Sequence, residues 1–198
     1  VTKIVLVPGS IRRDSLNASV LATVRRLLAE RADGDEYEID TLSVGRLPLY
    51  DWDVEQACGT DVVHAAEDLV RDADTLVVST PSYNGELPGR PQERPGLALV
   101  SGRPGDGPLT GRTVAPASAS PGARGAVAAV LTRCDAQVVD HDLVAVGRAG
   151  QLRAGDGGFT DPSACPDCGA RSPWITPLTA AVREPCVPLP LSSRSFAP

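Results

Sequence analysis

The chain has 198 residues, 42% of them hydrophobic, and a formal net charge of −6 from 19 basic and 25 acidic side chains. That length suits one α/β domain, and the apolar fraction is enough for a core, which excludes global disorder. The acidic balance gives nucleic acid no electrostatic support, and no apolar run approaches the roughly 18 residues of a membrane span.

The chain opens directly on Lys3-Ile4-Val5-Leu6-Val7 with no cleavage-type sequel, so no targeting segment is expected. Lys3 is the only lysine. The cysteines, Cys58, Cys134, Cys165, Cys168 and Cys186, are odd in number and scattered, which argues against a disulfide framework and for a reducing, cytoplasmic setting.

Residues 3–7 read as a buried strand, broken by Gly9 and Ser10. Leu16, Val20, Leu21, Val24, Leu27 and Leu28 then recur at helical spacing behind Asp14 or Ser15 as N-cap. Tyr37 to Leu42 alternates as a second strand, and Val62 to Val70 reads as a helix with a charged outer face. Residues 74–80, 113–118 and 136–140 give three further strands, with a short helix over 123–132. Strands alternating with helices predict a doubly wound, five-stranded parallel sheet in the order 2-1-3-4-5, with ligands at the carboxyl ends of the strands.

Two stretches resist this pattern. Residues 88–108 carry Pro88, Pro91, Pro95, Pro104 and Pro108 where the crossover helix between the third and fourth strands belongs. Each interior proline costs a helix about 3 kcal/mol. Residues 162–198 carry eight prolines where a last covering helix belongs. The expected division is therefore an ordered domain over 1–161 and a Pro-rich irregular tail over 162–198.

Three loops fall at one edge of this sheet. The first runs Gly9-Ser10-Ile11-Arg12-Arg13-Asp14-Ser15-Leu16-Asn17 from strand to helix. Its hydroxyls, amide and backbone N–H groups sit at a positive helix end, suited to a phosphate without lysine; an ordinary capped βα loop would look the same. It matches neither the Walker A nor the GxGxxG pattern. The second, Pro81-Ser82-Tyr83-Asn84-Gly85-Glu86-Leu87-Pro88-Gly89, holds an Asn84-Gly85 turn that either aims backbone N–H groups at a planar ring or is a plain surface turn. The third is Ser118-Ala119-Ser120-Pro121-Gly122. Three polar, glycine-containing loops at one sheet edge favour a site.

In this order, Gly-Ser-x-Arg-x-x-Ser-x-Asn, Pro-x-Tyr-Asn-Gly-x-x-Pro-Gly and Ser-x-Ser-Pro-Gly resemble the NAD(P)H-dependent FMN reductases, a family that includes flavodoxin-like quinone, azo-dye and chromate reductases. The resemblance covers roughly residues 1–160. It implies a flavodoxin-like fold and FMN, with the phosphate at Ser10, Arg12, Ser15 and Asn17 and with Leu16 and Pro81 also among the cofactor-binding residues. It places the flavin ring against Ser82, Tyr83, Asn84 and Gly85, with Ser118 closing the site. Ser82 stands where family members usually have Glu. The implied reaction passes hydride from NADPH or NADH to FMN, then electrons to a small-molecule acceptor: a quinone, azo compound, metal oxyanion or free flavin. No side-chain acid or base is implied. The implied assembly is a homodimer or homotetramer.

After Pro88-Gly89 the family continues into a helix beginning Leu-Lys-Asn-Ala and containing Asp-Trp. Here the text is Gly89-Arg90-Pro91-Gln92-Glu93-Arg94-Pro95-Gly96-Leu97-Ala98-Leu99-Val100. Back-translated with suitable codons and read one base later, it gives Gly-Ala-Leu-Lys-Asn-Ala-Leu-Asp-Trp-Leu-Ser. A local frameshift over 89–104 explains the coincidence, and a second shift after Asp161-Pro162 is a weaker possibility. The competing reading is a non-catalytic or damaged flavodoxin-like protein; an electron-transfer flavodoxin is a minor third.

The remaining candidates have simpler explanations. Cys165-Pro166-Asp167-Cys168 is a lone CxxC short of the four ligands zinc needs, and reads as incidental. His64, His141 and the acidic Asp51, Asp53 and Glu55 read as solvated surface. No Ser-His-Asp or Cys-His spacing supports a hydrolase.

Overall fold

The computed structural model describes residues 1–30, 36–49, 51–57, 61–81, 105–119, 124–139, 153–155 and 157–159. The irregular stretch at 89–104, the tail 162–198 and the CxxC lie outside the described residues.

The elements in chain order are β1 (Thr2–Pro8), α1 (Leu16–Ala29), β2 (Tyr37–Thr41), a 3-10 turn (Val44–Arg46), α2 (Trp52–Gln56), α3 (Asp61–Asp72), β3 (Thr75–Ser79), β4 (Thr113–Ala117), α4 (Arg124–Arg133) and β5 (Gln137–Val138). All strand pairings are parallel, and the order is β2-β1-β3-β4-β5, as the sequence pattern predicts.

The alternation of side chains along each strand divides the core into two layers. Val5, Val7, Leu76, Val78 and Val114 face one side, where Ala66 and Val70 of α3 and Val127 and Leu131 of α4 cover them. Ile4, Leu6, Val77 and Ala115 face the other side, against Leu21, Val24 and Leu28 of α1. Leu42, Val44 and Leu47, just past β2, extend the first layer.

Two details depart from the expected pattern. Asp53 and Glu55, read with Asp51 as a solvated acidic loop, lie in α2. The Asp51 carboxylate caps it by accepting from the Asp53 N–H at 2.9 Å and the Val54 N–H at 3.4 Å, which satisfies free donors of the first turn. β5 is shorter than the expected 136–140, although the Val139 N–H still donates to the Val114 carbonyl at 3.0 Å.

Helix α4 ends where Asp135 takes a left-handed φ of 56° and the Ala136 N–H reaches back to the Leu131 carbonyl at 3.2 Å. This closure turns the chain into β5. It also packs Cys134 partly into the α4-side core, where burial and the neighbouring Asp135 carboxylate raise its thiol pKa. The thiol form therefore dominates at neutral pH. Iodoacetamide is expected to alkylate Cys134 more slowly at pH 7.5 than free cysteine. Mass spectrometry of the peptide over a time course checks this; labelling at the rate of free cysteine contradicts it.

Candidate functional site

The register brings three strand ends level. Pro8 of β1 lies opposite Ser79 of β3, and Ser79 lies opposite Ala117 of β4. The loops that leave these ends share one edge of the sheet, where open α/β folds place their ligands.

At the first loop, Gly9 is wedged beneath β3. Its N–H donates to the Ser79 carbonyl at 2.6 Å, and a Cβ there would lie 2.6 Å from the Thr80 Cβ and 2.8 Å from its Cα. Only glycine permits that approach. The loop then rises to α1. Ser15, buried at its N-cap, accepts from the Ala18 N–H at 3.4 Å, and Ser10 Oγ accepts from the Arg12 N–H at 3.4 Å.

Both hydroxyls thus spend a lone pair on the backbone and keep an O–H hydrogen to donate. Among the described residues, the N–H groups of Leu16 and Asn17 in the first turn of α1 donate to no acceptor. The exposed Arg12 and Arg13 form no ion pair among the described residues, whereas the adjacent Asp14 lies 3.7 Å from Arg153. Two hydroxyl donors, helix-end N–H groups and the guanidinium charge of Arg12 and Arg13 fit an anion such as a terminal phosphate.

The first turn of α1 and the ends of β3 and β4 are laced together. Asn17, buried, turns its Oδ1 inward, where it accepts from Ser79 Oγ at 3.1 Å and from the Ala119 N–H at 3.0 Å. Ser118 Oγ donates to the Thr80 carbonyl at 2.8 Å, and the Thr80 N–H donates to the Ala117 carbonyl at 3.3 Å. Pro81 follows, partly buried, at the end of this lacing. Ser82, Tyr83, Asn84 and Gly85 lie outside the described residues. Ser10, Arg12, Ser15, Leu16, Asn17, Pro81 and Ser118 therefore gather at one edge of the sheet.

One contributor is absent from the sequence reading. Arg153 and Phe159 form an antiparallel bridge, and Phe159 docks on α1. The Phe159 N–H donates to Thr23 Oγ1 at 2.8 Å, and its carbonyl accepts from Arg26 Nη2 at 2.7 Å. The Phe159 ring is buried with Val20 and Ala117, with Leu16 and Ala119 packed beside it, so it supports both the first and third loops from beneath. The sequence signal is slight: a glycine-rich turn over 155–158 followed by a lone aromatic. The turn between 42 and 49 also approaches the first loop, with Gly45 near the exposed Ile11 side chain.

The described residues contain no cluster of His, Cys, Asp and Glu able to hold a metal, and no helix long and apolar enough to cross a membrane.

Comparison with known proteins agrees with this architecture. A 2-hydroxy-1,4-benzoquinone reductase from a Burkholderia species is 38% identical over 87 residues, covering 44% of each chain. A quinone reductase from Pseudomonas putida is 32% identical over 126 residues, covering 63% of each. The chain thus matches less than two thirds of the length of these curated relatives. Among solved structures, the flavoenzyme NAD(P)H:(acceptor) oxidoreductase FerB from Paracoccus denitrificans superposes with a TM-score of 0.72. It is 23% identical, with 92% of this chain and 96% of that one covered, a likeness of fold. The family model for NADPH-dependent FMN reductase matches residues 2–151. With that match spanning most of the chain and the three loops gathered at the strand tips, the protein belongs to the NADPH-dependent FMN reductase family.

Proposed function

We propose that this chain binds FMN at the level strand tips and acts as an NADPH- or NADH-dependent oxidoreductase with a quinone as acceptor. The observation that carries this reading is the donor set of residues 10–17, set at the carboxyl edge of a sheet in a member of this family. The names of the relatives favour a quinone over an azo compound, metal oxyanion or free flavin. Bound FMN would supply the redox chemistry, as the group able to take hydride from a nicotinamide and pass electrons to an acceptor.

The protein's part is placement and electrostatics. The Ser10 and Ser15 hydroxyls and the N–H groups of Leu16 and Asn17 would hold the phosphate, with Arg12 adding charge. Pro81 and the following Ser82, Tyr83, Asn84 and Gly85 would flank the ring, with Ser118 holding the neighbouring backbone. No side-chain acid or base enters this scheme. We assign the protein to the cytoplasm, as a homodimer or homotetramer whose partners are small molecules. The run of prolines over 88–108 favours a second reading, a non-catalytic or damaged flavodoxin-like protein.

The test is direct. The purified chain is expected to quench added FMN fluorescence on binding. The flavin bands should bleach under NADPH or NADH without air and return on adding 1,4-benzoquinone. Failure to take up FMN overturns the proposal and favours the second reading. Uptake without bleaching by either nucleotide removes the oxidoreductase activity.

A further inference from the structure

The flavin site as proposed leaves open how the phosphate loop and the ring-side loops keep a fixed relation. Asn17 lies in the first turn of α1, and its Oδ1 accepts from the end of β3 and from the start of the third loop. The orientation of its amide is fixed by chemistry. The Ala119 N–H can only donate, so the atom 3.0 Å away must be the carbonyl oxygen. Ser79, fully buried at the end of β3, donates its hydroxyl to the same oxygen.

One buried atom therefore joins α1 to β3 and to the first residue after Ser118. Two further bonds close the circuit: Gly9 N–H to the Ser79 carbonyl, and Ser118 Oγ to the Thr80 carbonyl. The first loop is tied to the end of β3 and to the start of the third loop, and the start of the third loop to the end of β3. Sequence separation makes this coupling non-local, with Ser79 62 positions and Ala119 102 positions along the chain from Asn17.

We propose that Asn17 is a positioning residue that locks the phosphate-loop helix to the tips of β3 and β4, and that its contribution to flavin binding is independent of the phosphate. The inference rests on the flavin reading above. Removing the carbonyl would leave a buried hydroxyl and a partly buried N–H without their acceptor, so both ring-side loops would lose a fixed origin. A phosphate ligand and a positioning residue then differ in one measurable way. Riboflavin has the ring and no phosphate, so loss of a phosphate contact leaves its affinity alone, whereas loss of the lock weakens FMN and riboflavin together.

The experiment compares Asn17→Ala, Asn17→Asp and Ser79→Ala in the full chain. Riboflavin and FMN titrations are read alongside amide hydrogen exchange at Ala119 in the ligand-free protein. Asn17→Ala is expected to weaken both flavins by the same factor, about tenfold, and to speed Ala119 exchange. Asn17→Asp keeps an acceptor for both donors. It should therefore preserve Ala119 protection and riboflavin binding while its charge weakens FMN alone. Ser79→Ala removes one donor and should weaken both flavins by a smaller, equal factor.

The proposal is overturned if Asn17→Ala weakens FMN but not riboflavin, or leaves Ala119 exchange unchanged. Should the unaltered chain bind neither flavin, the functional reading fails and Ala119 exchange in Asn17→Ala and Asn17→Asp alone decides whether the lock exists.

Discussion

A chain whose codons for residues 89–104 are read one base later is expected to bind FMN about tenfold or more tightly than the chain as written, a gain of at least about 1.4 kcal/mol. β3 and β4 are parallel neighbours, and parallel neighbours need a long crossover, usually helical. The chain between Ser79 and Thr113 supplies the length, but the written residues supply Pro88, Pro91, Pro95, Pro104 and Pro108. The shifted text Gly-Ala-Leu-Lys-Asn-Ala-Leu-Asp-Trp-Leu-Ser has no proline and sets leucines at helical spacing, four and then three residues apart.

The genetic code limits how freely such a string can be found. The second base of one codon and the first base of the next become the outer bases of each shifted codon, leaving mainly the middle base open. The tryptophan, for instance, needs T and G outside, as Leu97 followed by Ala98 provides. Sequencing the coding DNA and measuring peptide masses across 89–104 decide which text is made. Masses that match the written residues, together with a shifted variant that binds FMN no better, would remove the frameshift.

Gly9→Ala is expected to destabilise the fold by about 2–3 kcal/mol, the upper range for overpacking a well-filled core. For a chain of this size that lowers Tm by about 5–10 °C. The new Cβ would meet Thr80 at 2.6 Å from Cβ, 2.7 Å from Oγ1 and 2.8 Å from Cα. The side-chain atoms could be removed by Thr80→Gly, but the Cα could not. Backbone retreat is opposed because the Thr80 N–H is bound to Ala117 and its carbonyl to Ser118. The double variant Gly9→Ala, Thr80→Gly should therefore recover only part of the loss. Thermal denaturation of the three proteins reads this out. A Gly9→Ala chain melting within a degree of the unaltered one would show that the strand tips are not held together as described.

Much of the scaffold was legible in the amino-acid sequence. Apolar runs at 3–7 and 74–80 mark β1 and β3, helical spacing from Leu16 to Leu28 marks α1, and Ser15 serves as its N-cap. Right-handed crossovers then require a doubly wound arrangement, and five strands in this length suit the order found. These signals lie within a few residues of each other along the chain, which is why periodicity and capping chemistry reveal them. Asp51 as the cap of α2 was also local, but an acidic cluster looks the same whether it caps a helix or only meets solvent.

The tertiary structure decided the rest. The inward turn of Asn17 toward Ser79 and Ala119, the wedge of Gly9 under Thr80 and the docking of Phe159 on Thr23 and Arg26 join residues far apart in the chain. Local preference cannot encode which of a residue's polar atoms faces a strand end about a hundred positions away. That choice is made when packing of the sheet brings the strand tips level and leaves buried donors that need an acceptor.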